Sequence, residues 1–278
     1  MVTIFERETD SHLQGSVTHI FLFVGLIFPL FWSFPSLRAP SPVVHTSESI
    51  SPPDSSPGPF EMAVHRLFEE MELEEVLPEE VFRLAMIGHY NLKGEGVLAI
   101  DTVITIIDYT KPSVEERLYV INLKQRKVVL RSLVSHGKNS GHNLTESFSN
   151  RPGSLKSSFG FFVTGETYRG VHGYSLRLTG VERGVNDNAR RRAIVLHGAN
   201  YVSNGFASKW GRLGRSWGCP AVPLDSYRAI IDAIKDETCM FAYYDDEKYL
   251  QESALLNIET ATNEYLKEVN AYNEQTDR

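Results

Sequence analysis

The sequence predicts a mostly-β protein of the α+β class, and three observations support this. From Ala99 onward, short runs rich in Val, Ile, Leu, Phe and Tyr are separated by turns rich in Gly, Asn, Ser and Pro. Apolar residues at helical spacing are concentrated before this region, with one further amphipathic stretch near its end. Strands that do not alternate regularly with helices argue against a doubly wound parallel sheet.

Composition indicates a folded chain and excludes some partners. Of the 278 residues, 42% are hydrophobic and 11% aromatic, which suits a packed core. The formal net charge is -7, and the longest basic run is Arg190-Arg191-Arg192. Because that run is too short for an electrostatic footprint on a phosphate backbone, the sequence predicts no nucleic-acid partner.

The N-terminal region predicts export. Residues 20–32 are nearly all apolar, a length typical of a secretion signal and shorter than the roughly 20 residues that cross a bilayer. Acidic residues precede this run and no clear cleavage site follows it, so residues 1–34 are interpreted as either a signal peptide or a membrane anchor. Both alternatives place the protein in the cell envelope, at the periplasm or the cell-wall face, and the second adds membrane attachment.

Four further regions follow. Residues 35–59 are rich in Pro and Ser and predict an extended linker. Residues 60–96 carry two stretches at helical spacing and predict a small helical cap. Residues 97–246 form a predicted strand-rich domain, and residues 247–278 form a predicted C-terminal tail.

Apolar runs and residue spacing also predict the strands and the helix within residues 97–246. The predicted strands are 99–108, 117–123, 127–136, 160–164, 174–179, 193–197 and 239–244. Residues 224–235 are interpreted as one amphipathic helix near the end of the domain.

Two short segments bring together residues suited to acyl transfer. An apolar run ends in His197-Gly198, and Gly218-Cys219 follows further along. A thiol needs a base or a cation to become a thiolate near neutral pH, and His197 can serve as either. The glycine allows backbone amides to approach the sulfur and to bind a developing oxyanion. The pattern predicts Cys219 as nucleophile and His197 as base.

These segments resemble the murein L,D-transpeptidase catalytic domain family (YkuD-type), in the branch with the Ser-Trp-Gly-Cys-Pro-Ala-Val motif, here residues 216–222. Other similar sequence segments are residues 135–141, 157–160 and 172–178. The resemblance covers roughly residues 60–245. It implies that residues 97–246 form an L,D-transpeptidase-like catalytic domain with a YkuD-like β-sandwich fold. It matches Cys219 to the nucleophile and His197 to the base. Ser216 and Gly218 match the frame of the motif.

The resemblance also implies the reaction. Cys219 attacks a peptidoglycan stem peptide, D-alanine leaves, and an amine acceptor takes the acyl group, with no cofactor. One alternative is an L,D-carboxypeptidase, in which water is the acceptor. Another is a non-catalytic cell-wall-binding module in which Cys219 forms a disulfide with Cys239, closing a loop of about 20 residues.

The chain departs from the widespread family pattern at two positions. Trp217 stands where the family has a histidine, and Pro220 and Ala221 replace an arginine after the cysteine. Arg215, and less directly Arg212, are therefore the predicted partners of a substrate carboxylate.

Several aromatic and histidine residues are further candidates for the site. Trp217, His172 and Tyr174 are predicted to line it, whereas His136 is left open between the cleft and a turn. Ligand types suitable for zinc are present at His136, His142, His172, His197 and Cys219. No closely spaced ligand pair supports a zinc site, so no metal is predicted.

Overall fold

The computed structural model describes residues 57–276. The predicted signal peptide or anchor, and nearly all of the predicted linker, lie outside these residues. Within residues 57–276, no helix combines the length and the apolar character needed to cross a membrane.

The strands and helices follow one another from Pro59 onward. The strands are β1 (Val103–Asp108), β2 (Leu118–Asn122), β3 (Lys127–Ser132), β4 (Gly160–Gly170), β5 (Gly173–Gly180), β6 (Val195–Ala199), β7 (Ala221–Pro223) and β8 (Cys239–Tyr243). The α-helices are α1 (Pro59–Glu70), α2 (Glu79–Gly94), α3 (Asn204–Trp210), α4 (Tyr227–Ile234), α5 (Glu247–Glu252) and α6 (Ile258–Thr276), with a short 3-10 turn at Ala254–Leu256.

The eight strands form one sheet, in the order β3-β2-β1-β8-β4-β5-β6-β7. Most neighbours are antiparallel, but β1 pairs with β8 and β6 pairs with β7 in parallel. Beyond β3 the chain bridges to the opposite end of the sheet, through Ser135 to Ala221 and Gly137 to Ser216. The predicted mostly-β fold class is confirmed.

Both faces of the sheet are buried, as consecutive residues of β4 illustrate. Phe161 packs into the core shared with α1, α2 and α6, whereas Phe162 packs into the core shared with α4. Alternating side chains of a strand point to opposite faces, so each face receives its own set of apolar residues. Gly88 of α2 allows close packing, because a Cβ there would lie 2.0 Å from Cζ of Phe161.

Three elements of the structure, β7, α3 and α5, have no counterpart in the sequence prediction, whereas α6 lies where the sequence allows either a surface helix or a frayed tail, at residues 257–270. Strand β7 and helix α3 both lie in the region around the two motif segments, and β7 has only three residues. Beyond the predicted helix, which is α4, the C-terminal residues form α5 and α6. Strand β7 matters most for function, since it begins two residues after Cys219.

Candidate active site

His197 lies in the middle of β6, on the strand next to the nucleophile segment. Its Cα is in register with Ala221 of β7, and its backbone N–H donates to the carbonyl of Pro220 at 3.4 Å. Pro220 directly follows Cys219, so this parallel pairing fixes the backbone of the two motif segments side by side. The sequence alone could not show this, because β7 was not predicted.

One imidazole nitrogen of His197 is occupied by the next residue. Nδ1 lies 3.0 Å from the Gly198 carbonyl oxygen, which can only accept a hydrogen bond. Nδ1 therefore carries the proton, and Nε2 of the neutral ring keeps its lone pair. Burial lowers the pKa of His197, the Gly198 carbonyl opposes this, and His172 lowers it further. His197 is thus neutral at neutral pH and suited to accept a proton.

Cys219 is a free thiol, and Cys239 is free as well. Cys239 is fully buried in the helix-covered core on β8. The Cys219 residue is partly accessible, and its S–H donates to the Ala193 carbonyl at 3.6 Å. Burial raises the pKa of the Cys219 thiol, while the Val195 N–H and the Arg192 guanidinium lower it. Among the described contacts, the thiol is bonded to Ala193 and not to the imidazole of His197.

Ser216 holds the loop that carries the nucleophile. Its hydroxyl donates to the Cys219 carbonyl at 2.6 Å and accepts from the Gly218 N–H at 3.0 Å. The Gly218 amide is therefore already engaged. This leaves the Cys219 amide as the donor from this turn for an oxyanion.

Gly218 has a backbone conformation and surroundings that require glycine. Its φ is +124°, in the region that L side chains rarely adopt. A Cβ would lie 2.7 Å from the Lys156 carbonyl oxygen. The chain segment at Lys156 thus packs directly against the turn that precedes Cys219.

Two of the three ring-bearing candidates lie at the site, and the third lies elsewhere. His172, at the β4–β5 turn, stacks on His197 with ring centroids 4.1 Å apart. The Trp217 side chain is 75% exposed beside the nucleophile. Tyr174 projects to the α4 side, where its hydroxyl donates to Asp232 at 2.7 Å. The structure therefore brings His172 and Trp217 to the site and places Tyr174 elsewhere.

The predicted arginines bind groups near the nucleophile loop. Nη1 of Arg215 donates to the carbonyls of Lys138 and Gly141. Arg212 donates to His142 at 3.2 Å, further from the motif. These contacts tie the segment before Ser216 to the segment after β3. Neither contact points to a substrate carboxylate.

His136 is part of a buried polar network. Its Nδ1 accepts from Nη2 of Arg117 at 2.9 Å and lies 3.1 Å from the Thr145 hydroxyl. Burial, followed by the charge of Arg117, lowers the pKa of His136 to about 4. Its backbone carbonyl accepts the Ser216 N–H at 2.9 Å. The described contacts of His136 are therefore structural ones.

Three residues near the sulfur were not among the sequence candidates. Two are Tyr109, just after β1, and Tyr201, just after β6. Burial raises the pKa of Tyr109, and burial with the charge of Cys219 raises the pKa of Tyr201 to about 12. Arg192, just before β6, is the third. The sequence signal for Arg192 was the basic run that contains it, which was considered only as a nucleic-acid footprint.

Among residues 57–276, no group of three or more His, Cys, Asp and Glu side chains is arranged to hold a metal ion. The arrangement is that of a thiol, a neutral imidazole with one free nitrogen, and a loop fixed by hydrogen bonds. Such a set is suited to nucleophilic acyl transfer.

Comparison with protein-family models identifies the family of this chain. A family model described as the L,D-transpeptidase catalytic domain matches residues 73–243, which is more than half of the chain. The chain belongs to the L,D-transpeptidase catalytic domain family. A search of curated protein sequences finds no match.

Solved structures of L,D-transpeptidases are also similar. One from Mycobacterium smegmatis is 12% identical, with 51% of this chain and 59% of that chain covered and a TM-score of 0.33. One from Xylanimonas cellulosilytica is 14% identical, with 67% and 94% covered and a TM-score of 0.30. L,D-transpeptidase 3 from Mycobacterium tuberculosis, in complex with a faropenem-derived adduct, is 12% identical, with 51% and 60% covered and a TM-score of 0.30. The chain therefore spans about three fifths of the length of the two mycobacterial proteins.

Proposed function

We propose that this protein is a cysteine L,D-transpeptidase that acts on peptidoglycan stem peptides. Cys219 attacks the carbonyl of the third stem residue, D-alanine leaves, and an amine acceptor takes the acyl group. The observation that carries the proposal is the pairing of the free Cys219 segment with β6, where the Gly198 carbonyl fixes the tautomer of His197.

The first step requires the thiol to change its partner. In the structure the S–H donates to Ala193, a weak and long contact. When the thiol turns towards His197, Nε2 takes its proton and the thiolate forms the bond to the substrate carbon. The Cys219 amide then binds the developing oxyanion, as backbone N–H groups do in acyl transfer.

The second half of the reaction uses the same two side chains. Protonated His197 gives its proton to the departing D-alanine amine as the C–N bond breaks, which leaves a thioester on Cys219. His197, neutral again, deprotonates the acceptor amine, and the amine attacks the thioester. A new amide forms and the thiol is restored.

The test is incubation with purified tetrapeptide muropeptides, followed by mass analysis. We expect cross-linked dimers from the wild type. Cys219→Ala and His197→Ala should each reduce product by at least about a thousandfold, because nucleophile and base act as a unit. Cys239→Ala, which changes the other cysteine, is the matched control and should retain activity.

The products also separate this proposal from its hydrolytic alternative. Trimming of tetrapeptides to tripeptides without dimers, lost in Cys219→Ala, would identify a carboxypeptidase. Product formation that survives in Cys219→Ala would remove this residue from its role. No product under conditions in which a known L,D-transpeptidase is active would overturn the proposal.

We further propose that the protein acts in the cell envelope, where its substrate lies. The apolar run at residues 20–32 and the Pro- and Ser-rich residues after it support this. Fractionation of cells expressing the full chain, followed by detection of the protein, tests it. Mass analysis of the N-terminus then distinguishes a cleaved signal from a retained anchor.

A further inference from the structure

Arg192 has a half-buried guanidinium group whose partners are all uncharged. Its N–H groups donate to the carbonyl oxygens of Ser149 and Lys156 and to the hydroxyls of Ser154 and Ser158. No Asp or Glu carboxylate within residues 57–276 forms a salt bridge with it. Four hydrogen bonds fix its position, while its positive charge remains without a counter-charge from the described part of the protein.

The two neighbouring arginines lie in different surroundings from Arg192. Arg190 forms a salt bridge with Glu166 at 2.7 Å on the surface. Arg191 has no salt bridge among the described residues, but it is exposed to solvent, which screens its charge. Of the three arginines, Arg192 therefore combines an unpaired charge with partial burial.

Arg192 also lies against the nucleophile loop. A Cβ on Gly218 would be 3.3 Å from Nη2 of Arg192, and 2.7 Å from the Lys156 carbonyl that Arg192 binds. The Ser157 hydroxyl donates to the Gly218 carbonyl at 3.4 Å. Arg192 and the segment 149–158 therefore both pack against the turn before Cys219, and they are hydrogen-bonded to each other.

We propose that Arg192 is a positioning residue that fixes segment 149–158 against the nucleophile loop and supplies the positive charge that stabilises the Cys219 thiolate. The inference rests on the proposed function, because it takes Cys219 as the reacting group. This role differs from the one that the sequence predicts for Arg215, which is to bind a substrate carboxylate.

The charges around the sulfur agree with this role. Burial raises the pKa of the Cys219 thiol and lowers the pKa of Arg192, and in both cases the charge of the other group opposes the effect of burial. Two other described groups respond to the charge of Cys219, the phenols of Tyr109 and Tyr201, and burial raises the pKa of both. His197 lies on the strand that pairs with β7, and burial lowers its pKa. None of these three groups carries a positive charge at neutral pH. Among the four groups, Arg192 is therefore the one that is positively charged, and it lies against the turn before Cys219.

The test is the pH dependence of Cys219 alkylation by iodoacetamide, followed by mass analysis of the Cys219 peptide. We expect the midpoint of the rate profile to lie at higher pH in Arg192→Gln than in the wild type. Arg192→Lys keeps the charge and should fall between the two. Arg191→Gln removes a neighbouring exposed charge and should match the wild type. Coincident profiles for Arg192→Gln and the wild type would overturn the proposal.

A second variant separates charge from loop position. The double substitution Ser154→Ala with Ser158→Ala removes two of the four anchors and keeps the guanidinium. We expect this variant to unfold at a lower temperature than the wild type. The midpoint of its alkylation rate profile against pH should be close to that of the wild type. A midpoint displaced as far as in Arg192→Gln would mean that a loosened loop, and not the lost charge, changes the thiol. If Arg192→Gln does not fold, Arg192→Lys takes its place: coincident alkylation profiles for Arg192→Lys and the wild type, or a double variant displaced as far as Arg192→Lys, would then overturn the proposal.

Alkylation requires no peptidoglycan, so the two proposals fail separately. If the wild type forms no muropeptide product while the Arg192 variants show the expected shifts in alkylation, the proposed function is overturned and the role of Arg192 stands. A wild type that forms dimers while Arg192→Gln keeps an unchanged profile would do the reverse.

Discussion

The imidazole of His172 stacks on that of His197, with ring centroids 4.1 Å apart and ring planes 16° from parallel. His172 is exposed at the β4–β5 turn, whereas His197 is only 2% exposed on β6. Two positive charges at this distance repel each other, so a charge on His172 disfavours protonation of His197 and lowers its pKa.

The first prediction concerns the acid side of the pH profile. His197 must be neutral to accept the thiol proton, and both burial and His172 lower its pKa. His172→Ala removes the repulsion between the two rings and also reduces the burial of the His197 imidazole. Each of these changes raises the pKa of His197. We expect the acid limb of the rate profile for acylation by a carbapenem to move to higher pH. The rate near pH 6 should therefore fall relative to the wild type.

His172→Phe is the matched control for this prediction. It keeps a ring over His197 and removes only the charge, so its acid limb should lie between those of the wild type and His172→Ala. Titration of His197 by NMR measures the same order directly. An acid limb that stays in place or moves to lower pH in His172→Ala would contradict the electrostatic account.

The second prediction concerns Gly218. Its φ of +124° and the 2.7 Å approach of the Lys156 carbonyl both oppose a side chain. Gly218→Ala should displace the nucleophile loop and reduce the carbapenem acylation rate by about tenfold or more. Gly184 also has a positive φ, of +80°, but has open space around its Cα. Gly184→Ala should cost about 1 kcal/mol of stability and leave acylation unchanged; equal acylation rates in both variants would refute the steric argument.

The third prediction concerns the Ser216 hydroxyl. Ser216→Ala removes the bonds to the Cys219 carbonyl and from the Gly218 amide, both on the nucleophile turn. We expect a loss of about 1–3 kcal/mol in unfolding free energy and slower acylation. Ser216→Thr keeps the hydroxyl and should retain most of both. Urea unfolding and the acylation rate provide the measurements, and an alanine variant that equals the wild type in both would be the contrary result.

The fourth prediction concerns the contact between α2 and the sheet. Alanine is usually better than glycine in a helix, by about 0.5–1 kcal/mol. At Gly88, however, a Cβ would lie 2.0 Å from Phe161, whose ring is stacked on Phe241 at 4.2 Å. Overpacking should prevail, so Gly88→Ala should destabilise the protein by about 1–3 kcal/mol in urea unfolding.

A second substitution tests the cause of that loss. Phe161→Leu makes room at the contact, so Gly88→Ala should cost less when it is combined with Phe161→Leu than when it is made alone. Gly205, in α3, has no atom near its absent Cβ, and Gly205→Ala should not destabilise. Additive losses for the pair at 88 and 161 would show that the contact is not the source.

The sequence predicted the strands that carry strong apolar runs, and these strands are present in the structure. The chemistry that it predicts for Cys219 and His197 stays a prediction. The sequence did not predict β7, because three residues next to Pro220 show no alternation. The placement of His197 beside Cys219 depends on that strand, so the motif named the residues without giving their arrangement.

The remaining differences depend on distant contacts. Arg192 matters because segment 149–158 folds over it, and no local pattern around residue 192 records this. Tyr174 was expected near the substrate, yet its register on β5 points it towards α4. In each case the decisive contact joins residues far apart in sequence.

Ala221 pairs with His197 on one side and with Ser135 on the other, at the end of the sheet. Ser135 and Ala221 are far apart in sequence, and contacts of such long range form slowly because closing the long intervening loop costs entropy. We therefore expect the thiol to behave as an ordinary cysteine throughout synthesis. We expect the thiol to become reactive only when β7 pairs with β6, so that activity appears only after the domain has folded.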